Sequence, residues 1–274
     1  MKKSTAVISV LIALAIAVGG YLFYVQPPAA PPPAELPADP PPVATLPESP
    51  SPAPDVAPHY PIDVPAAADA PAAEADLDAR LLIALRALFG ASLDTMFNTT
   101  DIVRRIVVTV DNLPRERVSR RLMPVKPVPG PMVIAGSGDE RVIDASNAER
   151  YRPYVELMER VPTATLVDAY VRNYDAFQAR YVELGYPQGY FNNRLVEVID
   201  HLLATPEPAV PLRVAQPRVL YTFADPELEK LSEGRKILLR MGPDNAAKVK
   251  ARLRDIRAAV TREAAAGTPS AGAR

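Results

Sequence analysis

Arg194, Glu197 and His201 follow one another at spacings of three and four residues in the stretch FNNRLVEVIDHLLATPEP. On a helix that spacing gathers a guanidinium, a carboxylate and an imidazole on one side. His201 is the only histidine after residue 75, and the chain has no Cys. Thiolate nucleophiles and Cys-ligated metals are therefore excluded. A serine–histidine pair would need a serine from elsewhere; Ser119 and Ser137 are the candidates, and no Gly-x-Ser-x-Gly elbow exists. A metal site has Glu197 and His201 one turn apart beside Asp200, but needs a third ligand from another segment. Carboxylate-pair glycan cleavage has Glu183, Glu197 and Asp200 to draw on, with Tyr in place of the Trp this chain lacks. A plainer use outweighs all three: a helical ion pair of Glu197 with Arg194 or His201, worth roughly 0.3–0.5 kcal/mol. The expectation is a binding surface with no catalytic residue, metal or cofactor.

That surface comprises Tyr186, Tyr190, Asn192, Asn193, Arg194, Glu197 and His201, with Arg104 and Arg105 from an upstream helix. Its geometry hinges on the turn Gly185-Tyr186-Pro187-Gln188-Gly189-Tyr190. Gly185 should end one helix at positive φ, where a Cβ is penalised. Pro187 stiffens the turn, and the next helix opens at Phe191, with Phe191 and Leu195 packed near Phe177 and Tyr181. Asn192, Asn193 and Arg194 then occupy the first turns, where free N–H groups and the helix dipole favour a carboxylate or phosphate. On this view Arg194→Ala abolishes anion binding and leaves the melting temperature nearly unchanged.

The helix before the turn is the clearest of the chain. Leu166, Tyr170, Tyr174, Phe177, Tyr181 and Leu184 form one stripe from Thr163 to Gly185. Upstream, Asp76 opens a helix from Leu77 to Phe89, and Thr100-Asp101 opens another that ends at Asn112, although IVVTV alone could form a strand. Its buried face is Ile102, Val103, Ile106, Val107 and Val110, with Arg104 and Arg105 flanking. Met132–Ile134 and Arg141–Ile143 around Gly136-Ser137-Gly138 read as a β-hairpin. Ser146 or Asn147 caps a helix to about Arg160. Short β-like pieces fill residues 211–223. Asp225-Pro226 opens a short helix, and a second short one follows it. The last helix turns Val249, Leu253, Ile256 and Val260 inward, with Lys248, Lys250, Arg252, Arg254 and Arg257 around it. The fold class is mainly α: one helical domain over 76–264 with a minor β-hairpin and short strands, and a frayed tail over 265–274.

Two segments precede the domain. Residues 4–25 carry no charge and follow Lys2-Lys3. Twenty-two helical residues span about 33 Å, enough for a hydrocarbon core of roughly 30 Å. Tyr21, Phe23 and Tyr24 suit the far interface. The run ends in these aromatics and Gln26-Pro27-Pro28, where a cleaved signal peptide would carry a small-residue site close behind a shorter apolar run. Residues 1–25 therefore read as an uncleaved single-pass anchor in the inner membrane, N-terminus in the cytoplasm and domain in the periplasm. Residues 27–75 hold 17 of the 32 prolines, too many for a core or a continuous helix. The expectation for 26–75 is a disordered, polyproline-like spacer, with His59 a simple loop residue. From Asp76 onward 29 basic residues face 25 acidic ones, a surplus too small to argue for nucleic acid. The basic run Arg115, Arg117, Arg120, Arg121 and Lys126 suits solvent, or an anionic lipid, cell-wall polymer or acidic partner.

The segments RRIVVTVDNLPRERVSRRLMPVKPVPGP, GYPQGYFNNRLVEVIDHLLATPEP, VLYTFADPELE and LLRMGPDNAAKVKARLRDIR together resemble the bacterial family catalogued as domain of unknown function 3014. The resemblance covers about residues 77–260. It implies an envelope protein with an N-terminal membrane segment, and offers no catalytic residue to carry over. The functional expectation is a non-enzymatic binding or scaffold module tethered to the membrane, contacting an envelope protein or anionic cell-wall ligand. The alternative is a cell-wall or envelope hydrolase using a carboxylate or His201.

Overall fold

A computed structural model describes residues 57–62 and 74–266, with side chains described over 57–62 and 77–262. The expected anchor, most of the spacer and the tail after 266 lie outside the described residues. Among those described, no helix is long and apolar enough to cross a membrane.

The domain is mainly helical. Helix α1 spans Glu74–Phe89, three residues ahead of its expected start, and α2 spans Ala91–Met96 after Gly90 at φ +50°. Helix α3, Ile102–Asn112, buries Ile102, Val103, Ile106, Val107 and Val110 as its spacing predicts. Its N-cap differs from expectation. Asp101 sits at φ 52° without a side-chain cap bond, and Asp78 from α1 accepts the Val103 N–H at 3.0 Å instead.

Strands β1 (Ile134–Ala135) and β2 (Val142–Ile143) pair antiparallel, Ile134 opposite Ile143, as the sequence implies. Helix α4 runs from Arg152 to Arg160. The residues expected to open it, Ser146 and Asn147, lie instead in a preceding 3-10 turn, 145–150, capped by Asp144. Burial removes any capping role for Asn147, whose amide accepts from Val133 N at 3.0 Å and donates to Arg240 O at 2.8 Å.

The long aromatic helix is two helices. Helix α5 covers Thr163–Arg172 and α6 covers Tyr174–Glu183, with Asn173 at φ −114°, ψ 15° between them. Asn173 donates its amide to Ala169 O at 2.8 Å and accepts from Arg80 Nε at 3.1 Å. Such side-chain bonding competes with the helical ladder, and periodicity of apolar residues does not report it. Leu166, Tyr170, Tyr174, Phe177 and Tyr181 stay buried across the break, whereas Leu184, expected on the same stripe, is exposed.

Helix α7 is Phe191–Leu203. Strands β3 (Val214–Ala215) and β4 (Thr222–Phe223) form a second small antiparallel pair. Val214 N donates to Arg141 O and Ile143 N to Leu212 O, so the two pairs lie edge to edge. Helices α8 (Pro226–Glu229), α9 (Glu233–Arg240) and α10 (Pro243–Ala266) complete the described residues. Asp225 caps α8 ahead of its N1 proline, as expected.

Helix α10 lies against α4, α5, α7 and α9, and α3 lies against α1, α6 and α7. Val249, Leu253, Ile256 and Val260 are fully buried in this core. Four of the cations around α10 bond to neighbouring segments. Lys248 pairs with Glu159, Arg257 with Asp200, and Arg252 donates to Thr163 Oγ1 and Met158 O. Lys250 is buried, with Nζ 2.7 Å from Thr205 O and 2.8 Å from Glu207.

The turn between α6 and α7 behaves as its residues require. Gly185 has φ +109°, and an added Cβ would meet nothing within 4 Å. The penalty at Gly185 is therefore backbone strain alone, and Gly185→Val should cost about 1–2 kcal/mol in a denaturant titration. Gly189 is needed for space: a Cβ would come within 2.9 Å of the Tyr181 ring.

Candidate functional site

Of the expected surface, Tyr186, Arg194 and Glu197 come together, around a residue the sequence did not single out. Asp111 lies in the last turn of α3 with its carboxylate almost fully buried. Arg194 Nε donates to its Oδ1 at 3.0 Å, and Arg194 Nη2 donates to its carbonyl at 2.9 Å. Arg115 Nη2 donates to Oδ2 at 2.7 Å, and the Tyr186 hydroxyl donates to the same oxygen at 3.2 Å. A carboxylate at a helix C-terminus opposes the dipole and its burial is costly, so converging cations are what make it tolerable. The carbonyl taken by Arg194 belongs to the set that a helix end leaves unpaired.

Arg194 continues outward to Glu197 at 2.8 Å. Burial pulls its pKa down, but the Glu197 hydrogen bond and the Asp111 charge outweigh that, and the net shift is upward. The guanidinium is thus committed to the fold. This corrects the expectation that Arg194→Ala would leave the melting temperature nearly unchanged: removing it takes away Asp111's bonded partner from α7.

The first turn of α7 is also occupied. Phe191 N–H donates to Gln178 Oε1 at 2.8 Å, and Gln178 Nε2 donates to Gly189 O at 2.7 Å. Asn192 N–H faces the Tyr174 hydroxyl at 3.5 Å. Burial pushes the Tyr174 hydroxyl up to about 12, so it stays protonated and donates to Gln178 at 3.1 Å. Phe191 stacks on Phe177 with centroids 5.8 Å apart, and Tyr181 on Tyr186 at 4.5 Å, as the short-looped hairpin implies. Tyr190 precedes the helix and accepts the Arg194 N–H through its carbonyl.

Asn192 and Asn193 point to a different partner. Asn192 Nδ2 donates to Tyr60 O at 2.9 Å, and Asn193 Oδ1 accepts from Tyr60 N at 2.9 Å. Tyr60 and Ile62 pack half-buried against the core. Part of the spacer therefore lies on the domain, where the sequence implied an unstructured stretch throughout.

At the other end of α7, His201 Nε2 lies 2.7 Å from Ser232 Oγ. The serine that meets His201 is Ser232 rather than Ser119 or Ser137. Ser232 caps α9 by accepting the Arg235 N–H, and Arg235 Nε donates to His201 O at 2.9 Å. Burial lowers the His201 pKa, and the charges of Arg235 and Arg194 lower it further against the opposing pull of Glu197. The unfolded chain then takes up the proton more readily than the fold does. This contribution to stability is complete above the unfolded pKa of about 6.5 and is lost as pH falls through the depressed folded value. His201→Gln should flatten the fall in melting temperature between roughly pH 7 and pH 5. An unchanged pH profile would show that His201 does not titrate against the fold.

Arg104 and Arg105 stand apart from this cluster in their bonding. Arg104 is exposed on α3. Arg105 donates to Thr100 O, just ahead of α3, at 2.6 Å and ties the helix to the segment after it through Arg121 O. Among the described residues no group of three His, Asp or Glu side chains is placed to hold a metal. A second buried charge network, also missed from sequence, lies on α9. Arg240 pairs with Glu233 at 3.0 Å and sits over the Phe223 ring at 5.2 Å, and Lys236 reaches Glu229. It fastens the β elements to the helices.

The segments that build this site fall inside one family match. The model described as "Protein of unknown function (DUF3014)" matches residues 102–257, more than half of the chain. The chain belongs to the DUF3014 family. Asp111, Arg115, Tyr186, Arg194, Glu197, His201 and Ser232 all lie within the DUF3014 match, whereas Tyr60 lies ahead of it. No curated protein and no solved structure matches the chain.

Proposed function

We propose that this DUF3014 protein is a membrane-anchored binding or scaffold module of the cell envelope. Residues 4–25 hold it in the inner membrane, the N-terminus stays in the cytoplasm and the helical domain projects into the periplasm. The observation that supports binding is the buried Asp111, which fixes Arg194, Arg115 and Tyr186 in one arrangement. At its rim the Arg115 and Glu197 side chains are 55% and 68% exposed, so charges of both signs are presented in set positions. Preorganised side chains lose less freedom on binding, and mixed charges suit an envelope protein with complementary ones.

Cross-linking capture with the full-length chain tests this. Arg115→Gln combined with Glu197→Gln should abolish capture of partners that the wild type retains while the domain stays folded. Unaltered capture by the double variant rules out this face as the contact surface. An alkaline-phosphatase fusion after residue 75 should be active; an inactive one, with a working cytoplasmic reporter at the same position, reverses the topology.

Hydrolysis centred on His201 is the second reading, and the contact with Ser232 is what favours it. The cap bond and the burial of Ser232 weigh against it. Muropeptide release that disappears on Ser232→Ala or Glu197→Gln would replace the binding account with this one.

A further inference from the structure

Two neighbouring amides grip both main-chain polar groups of a single residue. Asn192 Nδ2 takes the carbonyl of Tyr60 and Asn193 Oδ1 takes its N–H, each at 2.9 Å. The orientation of Asn192 is set from behind. Its Oδ1 accepts the Tyr170 hydroxyl at 3.1 Å, which turns the amide nitrogen toward Tyr60. Burial raises the pKa of Tyr170 well above its ordinary value, which keeps that hydroxyl a donor. Asn192 is fully buried with Tyr60 in place, so the slot calls for a carbonyl acceptor; an unmet donor there would be costly. Residues 57–62 form no helix or strand, and Tyr60 and Ile62 supply the packing. This arrangement reads main chain through the two amides and side chains through one aromatic and one aliphatic contact.

We infer that this slot is a peptide-docking site whose resident ligand is the chain's own spacer, and that it accepts the same class of ligand in trans. That ligand is a short Tyr-Pro-aliphatic segment of a second polypeptide, with its tyrosine N–H and C=O free. The inference is independent of the Asp111 face and of membrane topology.

The probe is a fluorescent synthetic peptide of residues 55–64, titrated against the full-length chain by anisotropy. A tethered ligand competes at an effective concentration of about 1 mM, so for a peptide Kd of about 0.1 mM wild type should bind the peptide roughly tenfold more weakly than a Tyr60→Ala/Ile62→Ala variant. Adding Asn193→Ala to that variant should weaken binding at least about fivefold, the loss of one hydrogen bond. Asn193 is outside the buried Tyr170 contact, so this change should leave the melting temperature close to that of the parent variant. A peptide N-methylated at its tyrosine, lacking the donor that Asn193 accepts, should bind as weakly. No saturable binding to the Tyr60→Ala/Ile62→Ala variant by about 1 mM peptide overturns the inference. So does equal affinity for wild type and variant, or indifference to both Asn193→Ala and N-methylation.

Discussion

Asp111→Ala is expected to lower the stability of the domain by about 3–5 kcal/mol, the cost of breaking a buried ion pair from one side. The substitution takes the buried carboxylate partner from the largely buried Arg194 guanidinium, leaving it only Glu197 and the residue-111 carbonyl, and removes the acceptor shared by Arg115 and Tyr186. In a domain of this size that should lower the melting temperature on the order of 10 °C. Asp111→Asn should do less harm, because an amide oxygen can still accept one of these bonds. A shift under about 2 °C for Asp111→Ala would mean that the cluster is an incidental surface contact.

Phe177→Ala should be as damaging, at about 3–5 kcal/mol, through a different cause. The Phe177 ring is fully buried between Tyr170, at 5.6 Å, and Phe191, at 5.8 Å. Its loss leaves a cavity where α5, α6 and α7 meet, and the aromatic neighbours cannot collapse into it without breaking the Tyr170–Asn192 bond. Phe177→Leu should recover most of the loss, to within roughly 1.5 kcal/mol, by restoring volume. Leu184→Ala, on the same expected stripe but exposed, should stay within about 0.5 kcal/mol of wild type in the same urea titration. If Phe177→Ala and Leu184→Ala unfold at the same urea concentration, the stripe does not carry the core.

Local periodicity made the helices legible. The faces of α3 and α10 were readable because each buries a simple 3.6-residue repeat against one core. The hairpin at Gly136 was readable from turn chemistry. What periodicity could not show is a polar side chain that shares a backbone acceptor, as Asn173 does with Ala169 O between α5 and α6.

The site was half visible for the same reason. Glycines and aromatics located the turn before α7 and its packing. Asp111 stayed hidden because its meaning depends on Arg194, 83 residues away. One signal was present: Asp111 falls four residues after Val107, on the buried face of α3. A carboxylate in that position requires a cation from another element. The Tyr60 contact gave no such hint, since composition marks a proline-rich stretch as unable to form a core but says nothing of whether a few of its residues dock on one.

The central claim is that a buried pairing of Asp111 with Arg194 locks α3 to α7 and so builds the polar face. A double-mutant cycle of Asp111→Ala and Arg194→Ala, read by urea unfolding, tests it most directly. The account predicts strongly non-additive losses, with a coupling energy above about 1.5 kcal/mol. Additivity to within about 0.5 kcal/mol would contradict it.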